Sequence, residues 1–399
     1  MSRSNGLHTT GTTTCRLLIH AAELDPTADE QVRQIASHPA LEGLIAIMPD
    51  AHAGAGCVIG FTGRFRNAVI PNIVGVDIGC GVASHPLCGI RDIDFRSLDR
   101  HIRDTIPLGK NSRDSLALFD RPEVPRELRR GFTTLCERIE EGFYRGNRIG
   151  KHIEPLSQIG TLGGGNHFIE IGRDQQEMLH LIIHSGSRNL GKRIAEFYQG
   201  EAGRVTREAG IRVPRGQEFL PIGAGGDRYI TWAAAAQEYA RYNRRMMIVA
   251  ILAFFGVRYD ERQVVESVHN YISERDGIIR KGAISAHKGE RVIIPLNMAD
   301  GTIIGIGKGN PSYNQSAPHG AGRRYGRMEM FRRLDRGEFS LEKFRHSMRH
   351  VFSTSISRET FDESKFAYKP LGDIEHYLLE TVDVTGRLTP VYNLKAAGD

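Results

Sequence analysis

The chain has 399 residues, 40% hydrophobic and 25% charged, enough apolar material for a large buried core and without a repeat or low-complexity tract. Its 53 Lys and Arg against 47 Asp and Glu give a formal net charge of +6, which permits a nucleic-acid partner without requiring one. Five scattered cysteines (Cys15, Cys57, Cys80, Cys88, Cys136) with no CxxC pair exclude a disulfide framework and read as reduced thiols.

In chain order, the opening MSRSNGLHTTGTTT lacks the apolar stretch of a signal peptide, so a cytoplasmic location is expected. Strand-type runs fall at 44–50, 68–78, 166–171, 178–184, 291–298 and 302–307. Helical patterns fall at 95–106, 126–143, 190–209, 230–255, 260–275, 327–349 and 371–380. The most apolar window, MMIVAILAFFG from Met246, is too short to span a bilayer and reads as a buried helix, so no membrane partner is expected. Strands and helices mix without a βαβ rhythm. The expected fold is mixed α/β (α+β): one large domain over 1–399, central sheets surrounded by helices, and a site built from glycine-rich loops.

Several loops carry chemistry-bearing side chains. In VGVDIGCGV, Asp77 and Cys80 stand three apart on a glycine-flanked loop, a pair suited to a divalent metal or, equally, a turn aspartate beside a buried thiol. In GTLGGGNHFIEIG, strand alternation sets Asn166, Phe168 and Glu170 on one face and His167 on the other. An amide, an aromatic plate and a carboxylate together suit a purine, and an ordinary loop-to-strand junction would look the same. MLHLIIHSGSRNLGKR reads as strand, loop and helix, with an anion-friendly helix start near Arg188 and Lys192. His180 and His184 share one strand face, and the pattern does not choose between them. His269 falls on the expected helix 260–275, where a structural role is the commoner one; His52 and His287 carry the same ambiguity. SAPHGAGRR (316–324) leaves His319 on bare backbone with arginines behind it, a phosphate-facing loop or a plain turn. No GxSxG elbow, GxxxxGK[ST] loop or HExxH helix is present.

Eight segments taken together resemble the RtcB family of RNA ligases: MPDAHAGAG (48–56), VGVDIGCGV (74–82), GTLGGGNHFIEI (160–171), HSGSRNLG (184–191), HNY (269–271), RKGAISAHKG (280–289), HGAGR (319–323) and DESKFAYK (362–369). They keep the family's order across nearly the whole chain. The resemblance implies an enzyme that joins RNA 2′,3′-cyclic phosphate or 3′-phosphate ends to 5′-hydroxyl ends with GTP and Mn²⁺, through a histidine–GMP intermediate and a GMP-activated RNA 3′-end. It makes His319 the guanylylated residue. It makes Asp77, Cys80, His167, His184 and His269 the ligands of two manganese ions, with Cys80 bridging.

The same resemblance implies guanylate contacts at Asn166, Phe168, Glu170, Asn270, Pro295, Asn297, Met298, Thr302, Gly320, Ala321, Gly322, Tyr368 and Lys395. Arg188 and Arg323 would hold phosphates, and Asp50 would serve RNA-end processing or metal support. RNA, GTP and an activating protein are the implied partners, in tRNA splicing or RNA repair. The ligand types alone would suit zinc; manganese comes from the resemblance. One departure stands out: PLNMA (295–299) replaces the family's usual PGSMG, so Leu296 and Ala299 in place of glycines stiffen the loop, Asn297 replaces a serine that contacts guanylate, and the change points to a divergent paralogue. That loop motivates an alternative, a cyclic phosphodiesterase or RNA 3′-end guanylylating enzyme that does not seal. A non-catalytic RNA-binding protein is the alternative of another class.

Overall fold

The structure, a computed structural model, describes residues 15–21, 24–113, 121–149 and 155–396. The N-terminal segment read for a signal peptide and the last three residues lie outside these. The mixed α/β class is as expected, with sheets at the centre and nine α-helices among the described residues.

The larger sheet has seven strands, in the order Arg291–Asn297, Gly301–Gly307, Val382–Lys395, Phe168–Arg173, Leu179–Ser185, Gly81–Pro86 and Val265–Val268. All its neighbours are antiparallel. A five-stranded sheet orders Cys15–Ile19, Leu41–His52, Ile59–Phe65, Ile278–Lys281 and Asn270–Ile272, the first pair parallel. A short ribbon pairs Ala283–Ser285 with Ser316–Pro318, the strand that ends just before His319. Residues distant in sequence therefore meet through strand pairing.

The helix Gly226–Phe255 forms where alanines and long apolar side chains favour helix, and its Met246–Leu252 stretch is buried as expected. It stops at Gly256, whose φ of +65° supplies the left-handed cap. No helix among the described residues is long and apolar enough to cross a membrane. Among those residues Cys57, Cys80, Cys88 and Cys136 are free thiols.

Three expected elements differ. The run 68–78 keeps only Ala68–Val69 as strand, because Pro71 opens the helical turn Pro71–Val74 and Gly75 (φ +83°) ends it. The expected helix 260–275 is instead a 3₁₀ turn at Glu261–Gln263, capped by Asp260, then the strands Val265–Val268 and Asn270–Ile272. Its β-branched run (Val264, Val265, Val268, Ile272) suits a pleated edge better than a helix interior. The expected helix 327–349 breaks into Arg327–Asp335 and Leu341–Ser347, separated by Gly337 at φ +74° and restarted by the Ser340 cap.

Candidate active site

Four adjacent strands of the large sheet deliver four ligand-type side chains at one end. The register sets Phe168 and Val82 on either side of His184, and Gly81 between Ser185 and Val268. His167 precedes Phe168, Cys80 precedes Gly81, and His269 follows Val268, so all three gather around His184. Cys80 Sγ lies 3.4 Å from His167 Nε2 and 3.3 Å from His184 Nε2. His184 Nε2 is 3.0 Å from His269 Nε2, and His167 Nε2 is 3.0 Å from Asp77 Oδ2. The misread helix thus still brings His269 to the cluster, at a strand end.

The protonation pattern shows what this cluster fits. His167 Nδ1 donates to the Leu162 carbonyl at 2.9 Å and His184 Nδ1 to that of Asn166 at 3.1 Å. Each proton is thereby held at Nδ1, and both Nε2 lone pairs turn inward on a carboxylate and a sulfur. A buried convergence of lone pairs is favourable only around a cation. Burial, then the Asp77 carboxylate, pushes the Cys80 thiol up, while burial lowers His184 and His269 well below the usual imidazole range. Asp77 is held down by His167 and Cys80 despite its burial, with the Arg188 charge helping. Gly186 gives this carboxylate its room: a Cβ there would lie 2.0 Å from Asp77 Oδ1. Cys80, His167 and His184 form a set whose ligand atoms lie within 4.8 Å of one another, a donor set that fits a divalent transition metal. Chelator-treated protein should therefore melt lower than metal-loaded protein, by about 3 kcal/mol of stability at a hundredfold excess over Kd. In Cys80→Ser the difference should collapse; an unchanged melting gap would remove Cys80 from the ligand set.

The cluster opens onto a cleft of about 670 Å³, ample for a nucleotide. Asn166, Phe168, Glu170, Asn270, Tyr368 and Lys395 line it. So do Pro295, Asn297, Met298, Gly320, Ala321 and Gly322, together with His184, His269, His319 and Arg323. Thr302 sits behind the lining, with its hydroxyl on Glu170 Oε1 at 3.2 Å. Asn297 lines the cleft but spends its amide on its own turn: Oδ1 accepts from the Ala299 and Asp300 N–H groups, and Nδ2 donates to Asp300.

His319 answers the puzzle of its bare backbone. Its ring centroid is 4.8 Å from that of His269, and its Nδ1 donates to Asp50 Oδ2 at 2.6 Å, leaving Nε2 without a hydrogen-bond partner among the described residues. The His319 backbone N–H donates to the same oxygen at 3.1 Å. Asp50 is fully buried, and the hydrogen bonds to its carboxylate among the described residues come from His319, not from the metal-type cluster. Gly322 (φ +73°) passes so close to Asp50 that a Cβ would lie 2.2 Å from its carbonyl oxygen.

The two arginines expected at phosphates are both engaged by protein groups. Arg188 lies outside the cleft lining, with Nη2 on the Gly109 carbonyl at 2.8 Å and Nε on Thr161 at 3.2 Å. The adjoining Asn189 N–H at the helix start is capped by Gln158 Oε1. Arg323 lines the cleft but is paired with Glu363, donates to the Asp362 carbonyl at 2.9 Å, and lies over the Tyr368 ring. His180, the other strand histidine, pairs with Asp174 at 3.1 Å, and His287 with Asp276 at 3.0 Å.

Sequence reasoning missed several residues. Glu363 is a hub: beyond Arg323 it accepts from Lys395 Nζ at 2.9 Å and the Tyr368 hydroxyl at 2.6 Å. Lys281 lines the cleft and donates to the Ala55 and Asn72 carbonyls; His52, whose role the sequence leaves open, lines it too, and burial lowers it to about 4. Behind the cluster, Asn243 Nδ2 donates to the Thr161 and Gly186 carbonyls, and Arg244 Nη1 to those of Gly79 and Ser185. An asparagine–arginine pair inside an apolar helix was the available signal.

Fold and site together define an α+β protein with a buried Cys/His metal-type cluster at the end of a nucleotide-sized cleft that presents one carboxylate-held histidine. The family model for RtcB, described as tRNA-splicing ligase RtcB, matches residues 31–396, and the chain belongs to this family. It is 30% identical to the RNA-splicing ligase RtcB of Escherichia coli strain K12 over 424 aligned positions, covering 98% of this chain and 99% of that protein. It is 27% identical to the RNA-splicing ligase RtcB2 of Escherichia coli strain ATCC 25922, over 94% of this chain and 93% of the relative. The tRNA-splicing ligase RtcB of Archaeoglobus fulgidus is 27% identical over 78% of this chain and 79% of its own length.

Proposed function

We propose that this chain is a single catalytic domain that joins RNA 3′-phosphate or 2′,3′-cyclic phosphate ends to 5′-hydroxyl ends, using GTP and Mn²⁺. The observation that carries the reading is the Asp50–His319 pair. With its proton held at Nδ1 by Asp50, the imidazole offers Nε2 as a neutral nucleophile at the cleft wall. In the proposed sequence, Nε2 attacks the α-phosphorus of GTP, the P–N bond forms and pyrophosphate leaves. A cyclic end is first opened by water, which adds to phosphorus as the P–O2′ bond breaks and the 2′-oxygen takes a proton; an oxygen of the RNA 3′-phosphate then takes the GMP and frees the histidine. The 5′-hydroxyl oxygen finally attacks the activated 3′-phosphorus; GMP leaves and the hydroxyl proton is lost to solvent. Asp50 stabilises the positive charge that grows on the ring while the P–N bond exists.

Asp77, Cys80, His167, His184 and His269 would hold the metal, which supplies Lewis-acid polarisation of phosphate oxygens. Phe168 and Tyr368 offer apolar faces to the base, and Glu170 accepts from its N–H groups. The test is to supply a cyclic-phosphate RNA and a 5′-hydroxyl RNA with GTP and MnCl₂ and look for the joined strand. Opened or guanylylated ends without joining would favour the non-sealing alternative.

Glu170 gives this reading a pH signature. Burial raises its carboxyl to about 7, against the opposing effect of Asn393, Thr302 and Lys395. Below that value Glu170 is protonated and presents an O–H toward the N1–H of guanine; above it both oxygens accept. GTP affinity should therefore strengthen from about pH 6 to about pH 8 and then level off. Calorimetric titration across this range should show the rise in wild type and lose it in Glu170→Gln. A flat wild-type profile would remove Glu170 from base recognition.

A further inference from the structure

Strand Val382–Lys395 runs antiparallel to Phe168–Arg173, and its register sets Asn393 opposite Glu170 and Lys395 opposite Phe168. Asn393 is 1% exposed, yet it lines the cleft beside Phe168, Glu170 and Lys395. Its Nδ2 donates to Glu170 Oε2 at 2.9 Å. Its Oδ1 is buried and meets no donor among the described residues. An amide beside a carboxylate turns its NH₂ toward the charge, so the carbonyl is left as the unpaired group. Such an orphaned acceptor is costly in a closed core, and at a cleft wall it is satisfied when a ligand brings an N–H. Neighbouring donors are already spent: Thr302 Oγ1 serves Glu170 Oε1, and Lys395 Nζ serves Glu363 and the Asn166 carbonyl.

We propose that Asn393 is a specificity-determining residue of the nucleotide site, whose Oδ1 accepts from the exocyclic 2-amino group of a guanine base. The proposal rests on the guanylate reading of the cleft given above. Guanine carries an N1–H and an amino group with two hydrogens along one edge. Glu170, fixed by donors at both oxygens, takes the N1–H and one amino hydrogen; the second amino hydrogen is left for Asn393. Hypoxanthine keeps the N1–H and the 6-oxygen but lacks the amine, so ITP loses the amino contact to Asn393 together with the amino contact to Glu170. Adenine presents a lone pair at N1 and is refused by Glu170 before Asn393 is reached.

The experiment measures dissociation constants for GTP and for ITP by titration calorimetry with MnCl₂, in a His319→Ala background so that binding is read without transfer. The parent should prefer GTP by about a hundredfold, the scale of two buried hydrogen bonds. Asn393→Leu should cut that preference to about tenfold, the part left to Glu170, while loss of its donor to Glu170 weakens both nucleotides. Thr302→Val takes a donor from Glu170 without touching the Asn393 acceptor; it should weaken both nucleotides alike and keep the ratio. Asn393→Ala replaces the leucine variant if melting curves show the strand disturbed. A GTP-to-ITP ratio unmoved by either Asn393 variant overturns the assignment and leaves Asn393 as a prop for Glu170. If neither nucleotide binds the parent, the guanylate reading itself falls, a result distinct from failure of the Asn393 assignment.

Discussion

Replacing His319 with alanine is expected to lower RNA joining by about 10⁴-fold or more, the usual scale for loss of a covalent nucleophile. The melting curve should fall as well, because the fully buried Asp50 then keeps only the backbone N–H of residue 319 as a donor, so folded protein is compared at a temperature below both melting points. Asp50→Asn sharpens the expectation. An amide at this position can present its NH₂ to Nδ1, which would move the imidazole proton to Nε2 and occupy the attacking lone pair. A loss near 10⁴-fold is expected there too, with GTP binding retained. Joining rates and GTP titration on the two variants check this. Near-wild-type joining by Asp50→Asn would mean that the 2.6 Å contact does not set the tautomer.

The second large effect is on stability and metal binding, at a residue that touches no substrate. Arg244 is fully buried, pairs with Glu266 at 2.7 Å, and donates to the carbonyls of Gly79 and Ser185. Those two carbonyls neighbour Cys80 and His184 in the chain, so one guanidinium fixes two ligand loops. Arg244→Met removes the fork and leaves Glu266 with Arg245 as its remaining partner at 2.7 Å. Breaking a buried pair in this way costs about 3 kcal/mol. Loss of support behind metal ligands weakens metal affinity by about 10- to 100-fold. Denaturation curves and a manganese or zinc titration on the same preparation test both parts. Lower stability with unchanged metal affinity would make Arg244 a core residue only.

Much of this site is visible in the sequence as side-chain types, and little of it as contacts. Asp77 and Cys80 stand on one loop and read as a pair. His184 could not be separated from His180 because both lie on one strand face. The separation comes from register: His184 sits between Phe168 and Val82 at the sheet end, whereas His180 falls beside the Asp174 turn. His269 was assigned to a helix because Val264, Val265, Val268 and Ile272 satisfy helical spacing as well as an edge strand does. The pairing Gly81–Val268 decides the matter, and it is a tertiary fact.

The buried helix Gly226–Phe255 is legible from its composition, but the roles of Asn243 and Arg244 depend on carbonyls of loops 57 to 165 residues away in sequence. Arg323 shows the same limit. Its nearness to His319 is written in the sequence, while Glu363, which takes its charge, lies 40 residues on. The family resemblance supplied the ordered set of site positions; the geometry supplied the Asp50 contact, the Glu363 hub and the orphaned acceptor of Asn393.

The central claim is that His319 carries the nucleotide. The most direct measurement incubates the wild-type protein with GTP labelled at the α-phosphate and MnCl₂, digests it, and locates the label. The account predicts an acid-labile, alkali-stable adduct on the peptide that contains His319, absent from His319→Ala and absent when the label is at the γ-phosphate. A protein that takes no label, or takes it on another residue, or labels equally after His319→Ala, would contradict it.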